Sequence, residues 1–365
     1  MQKRICFLDY TRIITAYLVV LGHLLPINGC YLKNFIYTFH ISLFFLISGL
    51  LHKNTGTIMY KKYIKTILIP AFFFFIGIGL LLSIMAFFSL LGLNYHALYG
   101  IDASNIFEAI TFAFVCDLKR LFFGNIVTNG PCWFLFALFF VKLLMDFALK
   151  SRKCMIASLL ICGILFLFSK IVVNPLSLGR AMLAYPLYLA GYFFKDSFIE
   201  FSKWKHSLIF SFVFLLGTIV CLFINGQPSY TQLSFGRLPL PLNILCFYTG
   251  ALFGTLMVMS FCAKWPSTKY TEYMANCLIT IVGAQALFYK PVVHSLGREQ
   301  NILPSNPQPI GFSGILLAKR QNSFYCTYFL HNRNVADTKS PYPIKRLEVI
   351  RWFNQKSMVF NQSLS

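Results

Sequence analysis

The amino-acid sequence predicts an all-α protein, a polytopic transmembrane helical bundle of about nine spans with its N-terminus in the cytoplasm. Three observations carry that expectation. Apolar runs of bilayer length recur along the 365 residues, 57% of which are hydrophobic and only 12% charged, where a soluble domain has about a quarter of its residues charged. The runs are continuous rather than alternating, and in hydrocarbon only a helix satisfies the backbone of such a run. Basic residues concentrate on alternate connections, as the positive-inside rule requires.

Taken in order, the first span covers 13–30 and follows Lys3 and Arg4. A basic start before an apolar run is also how a signal peptide begins. Here no small-residue cleavage site follows and a second run starts at Phe35, so the segment reads as a retained helix. The second span, 35–51, ends near Ser48-Gly49, a small pair that permits close backbone approach. The third, 67–93, follows the basic "KKYIK". The fourth, 131–149, opens in "GPCWFLFALFF"; the fifth, 154–173, follows Lys150, Arg152 and Lys153. The sixth, 181–194, is the shortest. Spans over 207–224, 239–262 and 277–296 complete the set. Longer polar loops, 94–130 and 225–238, fall on the outer side, and no internal repeat is visible.

This placement accounts for the formal charge of +21. Fifteen Lys/Arg lie on inner segments, among them Lys53, Lys61, Lys62 and Lys65, and five on outer loops: Lys33, Lys119, Arg120, Arg180 and Arg237. The charge is topological, and nucleic acid is not an expected partner; the lipid bilayer is. Eleven Cys are scattered, mostly inside apolar spans, with no CxxC or Cys/His ligand spacing. They read as small apolar packing residues, and no metal is expected.

Two domains are expected: a membrane domain over 1–296 and a polar, basic tail over 297–365. The tail is rich in Pro, Asn and Lys/Arg, and its longest apolar piece, "IGFSGILLA", is about half a span. It reads as disordered or aberrant, in place of a tenth span.

The stretch "FLDYTRIITAYLVVLGH" holds the candidate chemistry. His23 lies eleven positions beyond Arg12 along the helix, which puts both on one face about 16 Å apart. Asp9 lies one turn before Arg12, placed to pair with it. Arg12 then sits at the cytoplasmic rim and His23 beyond the midplane, and an ionisable group at that depth is a functional candidate. The bland alternatives are a snorkelling anchor for Arg12 and a helix–helix hydrogen-bond partner for His23. The second helix adds "FHISLFFLISG" with an intramembrane His40. Two histidines on adjacent antiparallel helices favour one shared polar pocket.

"LDYTR" with His23 eleven residues after its Arg12, then "FHISLFFLISG" and "KKYIK", resembles the N-terminal signature of the membrane-bound acyltransferase 3 family. The branch it most resembles is that of the fucose 4-O-acetylase-like and polysaccharide O-acetyltransferases. "GPCWFLFALFF" and "YPLYLAGYFFK" resemble later spans of that family, so the likeness covers about residues 1–295. The family usually has about ten spans, from which the tail departs. The resemblance implies an O-acyltransferase of the bacterial inner membrane. It would take acetyl or another acyl group from acyl-CoA (acetyl-CoA as donor substrate) and deliver it to a sugar hydroxyl of a surface polysaccharide or lipid-linked saccharide.

By the same resemblance His23 is the catalytic histidine and Arg12 its partner. A sugar hydroxyl is a poor nucleophile, so attack on a thioester needs a general base, here His23, unless His23 carries the acyl group itself. Arg12, oriented by Asp9, would hold the thioester or the CoA phosphates. His40 would serve as partner or relay. Lys61, Lys62 and Lys65 would attract CoA phosphates or anionic lipid. Trp133 is a candidate to stack on a sugar ring, with packing as its alternative role; Arg180 and Arg237 are candidates for anionic sugar or pyrophosphate. Two rival readings stay open. One is a polysaccharide or lipid-linked-sugar transporter, for which polar residues spread along several helices would be expected. The other is an acyltransferase left inactive by its truncated C-terminus.

Overall fold

The computed structural model describes residues 6–287, apart from 26–29, 124–131, 203–205, 266–267, 279 and 286. The tail expected from 297 onward lies outside the described residues. Those residues are almost wholly helical, and a single β-bridge, Ser229 with Ser234, is found among them. In chain order the helices are α1 (Cys6–Leu24), α2 (Tyr31–Leu50), α3 (Tyr60–Phe87), α4 (Tyr95–Tyr99), α5 (Ile106–Phe123) and α6 (Trp133–Ala148). There follow α7 (Arg152–Ile171), α8 (Leu178–Phe193), α9 (Lys195–Ser202), α10 (Ser207–Asn225), α11 (Leu242–Cys262) and α12 (Lys269–Asn276).

Of these, α1, α3, α7, α10 and α11 are long and apolar enough by themselves to cross a membrane. The expected spans 35–51, 131–149 and 181–194 correspond to α2, α6 and α8, and 277–296 is described only in part. Helix α1 starts earlier than its apolar run, so Asp9 and Arg12 are helical. Its polar residues are satisfied locally: Thr11 and Thr15 donate their hydroxyls to the carbonyls of Phe7 and Thr11. Helix α3 widens to π-helical geometry over Ile64–Leu68 and Phe73–Ile78. Pro70 lies between the two stretches, and as a residue without an N–H it interrupts the regular bonding ladder.

Helices α2 and α8 form the centre of the bundle. α2 packs against α1, α8 and α11, and α8 against α2, α6 and α7. Tyr185, Tyr188, Phe45 and Phe136 are fully buried around them. Two glycines set the α2–α8 crossing. A Cβ on Gly49 would strike the Tyr188 carbonyl oxygen, and one on Gly191 would strike that of Leu46. Peripheral α7 and α10 instead present exposed apolar side chains, such as Leu160, Ile164, Phe212 and Phe223. In hydrocarbon such faces carry no cost.

The segment 94–130, expected to be a polar loop, contains two helices, and this corrects the sequence reading. Asn94 caps α4 by accepting the Ala97 N–H at 3.0 Å. Asn105 accepts the Glu108 N–H at 2.9 Å, while Glu108 returns a carboxylate oxygen to the Ser104 N–H at 2.8 Å. Asn105 is thus the N-cap of α5, and Glu108 ties down the residue before it, a start signal legible in "SNIFE". These helices bury Tyr95, Tyr99, Ala109 and Ala113 against Leu82 and Ala86 of α3.

Candidate active site

Among the described residues, polar side chains gather in four places. At the N-terminal end of α1, Asp9 is buried and its Oδ1 lies 3.6 Å from the Arg12 guanidinium, which is partly exposed. The expected Asp9–Arg12 pair is therefore formed.

At the opposite end, His23 stands in the last turn of α1, with its ring 6.3 Å from that of Tyr37 in an edge-to-face arrangement. Gly22 makes this possible: a Cβ there would lie 2.6 Å from the Tyr37 ring. Tyr37 donates its hydroxyl to the Gly22 carbonyl at 3.2 Å. One turn on, His40 lies 4.9 Å from Tyr37, ring centroid to ring centroid, and is fully buried. Its Nδ1 is 2.8 Å from the Ile36 carbonyl oxygen. A carbonyl only accepts, so Nδ1 bears the proton and a neutral ring keeps its lone pair on Nε2. Above Tyr37, Lys33 lies with Nζ 5.3 Å from the ring and donates to the Leu25 carbonyl at 3.1 Å. The structure thus joins His23 and His40 through Tyr37, which sequence reading missed because a tyrosine in an apolar helix looks like packing. It does not join His23 to Arg12, which stand at opposite ends of one helix.

The third group lies on another side of α2. Tyr230 folds from the loop after α10 into the bundle, where its hydroxyl is 2.8 Å from Ser42 Oγ, both residues being buried. Its ring stacks on Trp133 at 6.0 Å, and the Arg180 guanidinium lies 5.3 Å from the centre of the Trp133 ring. Arg180 is 3% exposed and donates to Ser177 Oγ at 2.9 Å. Trp133 and Arg180 are therefore neighbours, with Trp133 packed between the Tyr230 ring and the Arg180 guanidinium. Tyr230→Phe would leave the Ser42 hydroxyl buried without this partner, at a cost of about 1–2 kcal/mol. A lowered thermal midpoint of the purified protein is the expected outcome.

Arg237 sits apart. It donates to the Phe223 carbonyl at 3.0 Å and so caps the C-terminus of α10. It also borders a groove of about 660 Å³ between α2 and α10, whose walls include Tyr31, Phe35, Leu222 and Phe223. Lys61 and Lys62 are exposed in the first turn of α3. The described cysteines are free thiols. Among the described residues no cluster of His, Cys, Asp and Glu has the makings of a metal site.

A further polar node lies at the other end of α2. His52 is buried, with Nδ1 2.8 Å from the Tyr188 hydroxyl and Nε2 3.1 Å from Asp146 Oδ1, off the line of a straight hydrogen bond. Burial holds the His52 imidazole far below its ordinary value, to about 4; Lys142 pushes the same way and Asp146 opposes both. It is a neutral ring at physiological pH.

Residues 6–315 match the acyltransferase domain family known as acyltransferase 3. No curated protein and no solved structure matches the chain.

Proposed function

The chain belongs to the acyltransferase 3 family of membrane acyltransferases, and on that premise we propose that it is an O-acyltransferase carrying acetyl, or another acyl group, from acyl-CoA to a sugar hydroxyl. The acceptor is a surface polysaccharide or a lipid-linked precursor, and the setting is a bacterial inner membrane. The observation that carries the reading is the His23–Tyr37–His40 array, two imidazoles held by one tyrosine inside an apolar helix pair.

Acyl transfer forms an ester at the sugar oxygen and breaks the thioester. The hydroxyl proton leaves to the base and is returned to the departing CoA thiolate. His23, at the end of α1, is the base in this scheme. Its alternative role is to take the acyl group first and pass it on. His40, which offers Nε2 as its acceptor, supports the second proton position. Arg12, oriented by Asp9, and the exposed Lys61 and Lys62 bear the positive charge that a polyanionic CoA needs. For the acceptor, Trp133 with Arg180 supplies an aromatic face beside a buried cation. The groove under Arg237 suits the apolar chain and phosphate of a lipid-linked saccharide.

The test uses purified protein in lipid nanodiscs with acetyl-labelled acetyl-CoA and a polysaccharide or lipid extract. Alkali-labile label appearing in the saccharide, together with free CoA, is the expected result. Passage of saccharide across vesicles without acylation would contradict it and favour the transporter.

A further inference from the structure

The buried carboxylate of Asp146 holds both ends of one exposed, cationic loop. Helix α2 stops at Leu50, and the chain turns so that His52, 4% exposed, points back into the bundle. There its Nε2 meets Asp146 Oδ1 at 3.1 Å, and its Nδ1 meets the Tyr188 hydroxyl at 2.8 Å. Residues 53–57 are then exposed, turned by the Gly56 N–H donating to Asn54 Oδ1 at 2.9 Å. The loop closes at Met59, whose N–H donates to Asp146 Oδ2 at 2.9 Å; Tyr63 donates its hydroxyl to Oδ1 at 3.1 Å. One carboxylate, delivered by α6, therefore caps the start of α3 from a distance and anchors the residue that begins the loop.

The held segment carries a dense run of cations. Lys53 is exposed on the loop, and Lys61, Lys62 and Lys65 are exposed on the first turns of α3. Four ammonium groups on a short stretch would repel one another and, on a free loop, would wander. Fixing both ends keeps them together without a bound anion, and such preorganisation is what lowers the ordering cost of binding. Asp146 is 6% exposed and itself out of reach of a large polyanion, so its effect passes through the segment it holds.

We propose that Asp146, with His52, is a positioning residue for the donor: it holds the 53–65 segment in the arrangement that binds the phosphates of acyl-CoA. The proposal rests on the acyltransferase reading and adds to it a residue pair that touches neither substrate. The partners of Asp146, which are His52, Met59 and Tyr63, all come from the one segment that follows α2, far earlier in the chain.

The experiment uses the full chain in nanodiscs and compares wild type with Asp146→Asn and His52→Ala. Asparagine keeps the shape and one acceptor oxygen and loses the charge and the second acceptor. Steady-state kinetics should show the KM for acetyl-CoA rising about tenfold in Asp146→Asn, with kcat falling less than threefold. In parallel, limited trypsin cleavage at Lys53 and Lys61 is followed with and without coenzyme A itself. Coenzyme A should protect these sites in the wild type and do so at least fivefold less well in either variant. A wild type that turns over, with Asp146→Asn leaving KM and protection unchanged or lowering only kcat, overturns the positioning role and leaves the acyltransferase reading standing. A wild type that neither turns over nor gains protection from coenzyme A overturns both. Protection lost in the variants of a chain that does not turn over supports the positioning role and removes the acyl-transfer reading alone.

Discussion

His23→Ala is expected to lower acyl transfer by about 10²- to 10⁴-fold, the range that removal of a general base commands, while the protein still inserts and purifies. The small structural effect follows from the surroundings of His23. It stands in the last turn of α1, only half-buried, against the edge of one tyrosine ring. The large catalytic effect follows from the chemistry: a sugar hydroxyl loses its proton only as the carbon–oxygen bond forms, so the base must be in place. The measurement is the rate of labelled ester formation, at saturating acetyl-CoA, by equal amounts of monodisperse wild-type and variant protein. Should His23 carry the acyl group, the same variant would in addition lose acyl–enzyme label trapped by rapid acid quenching. A variant within threefold of wild type would rule out both roles.

The second large effect is structural. Gly49 and Gly191 face each other's helices where α2 crosses α8, and each lies against backbone of the partner helix, not a movable side chain. Overpacking a core usually costs about 1–3 kcal/mol, and a clash with a carbonyl oxygen leaves the helices no way to relax except by parting. Gly191→Val is therefore expected to cost more than about 3 kcal/mol and to abolish the monodisperse peak on size exclusion in detergent. Parting the helices would also separate His52 from Tyr188. The control is Gly163→Ala on α7, where a Cβ meets nothing within 4 Å. Relief of glycine's helix penalty there should leave stability unchanged or raise it by up to about 1 kcal/mol. Comparable behaviour of the two variants would remove the account of the crossing.

Much of this was legible in the chain. The helical class followed from the length and continuity of the apolar runs, and the Asp9–Arg12 pair from helical spacing alone. The small pair Ser48-Gly49 announced a close crossing, although its reciprocal, Gly191, became visible only once α8 was in place. Long-range partners were not legible. Tyr230 reads as a loop residue, yet it closes on Ser42, 188 positions earlier in the chain. His52 and Asp146 carry no local signal of their pairing, since nothing near either says that α6 and the end of α2 meet. The capping signals in "LNYHA" and "SNIFE" were present, and the polar composition around them concealed the helices they begin.

The central claim is that a histidine at the end of the first helix performs acyl transfer to saccharide. The most direct test is the O-acetyl content of the host's surface polysaccharide in cells that carry the wild-type chain, His23→Ala or neither, with membrane levels of the two proteins matched. Ester present with wild type and absent in the other two is the predicted result; the same ester content in all three would contradict it.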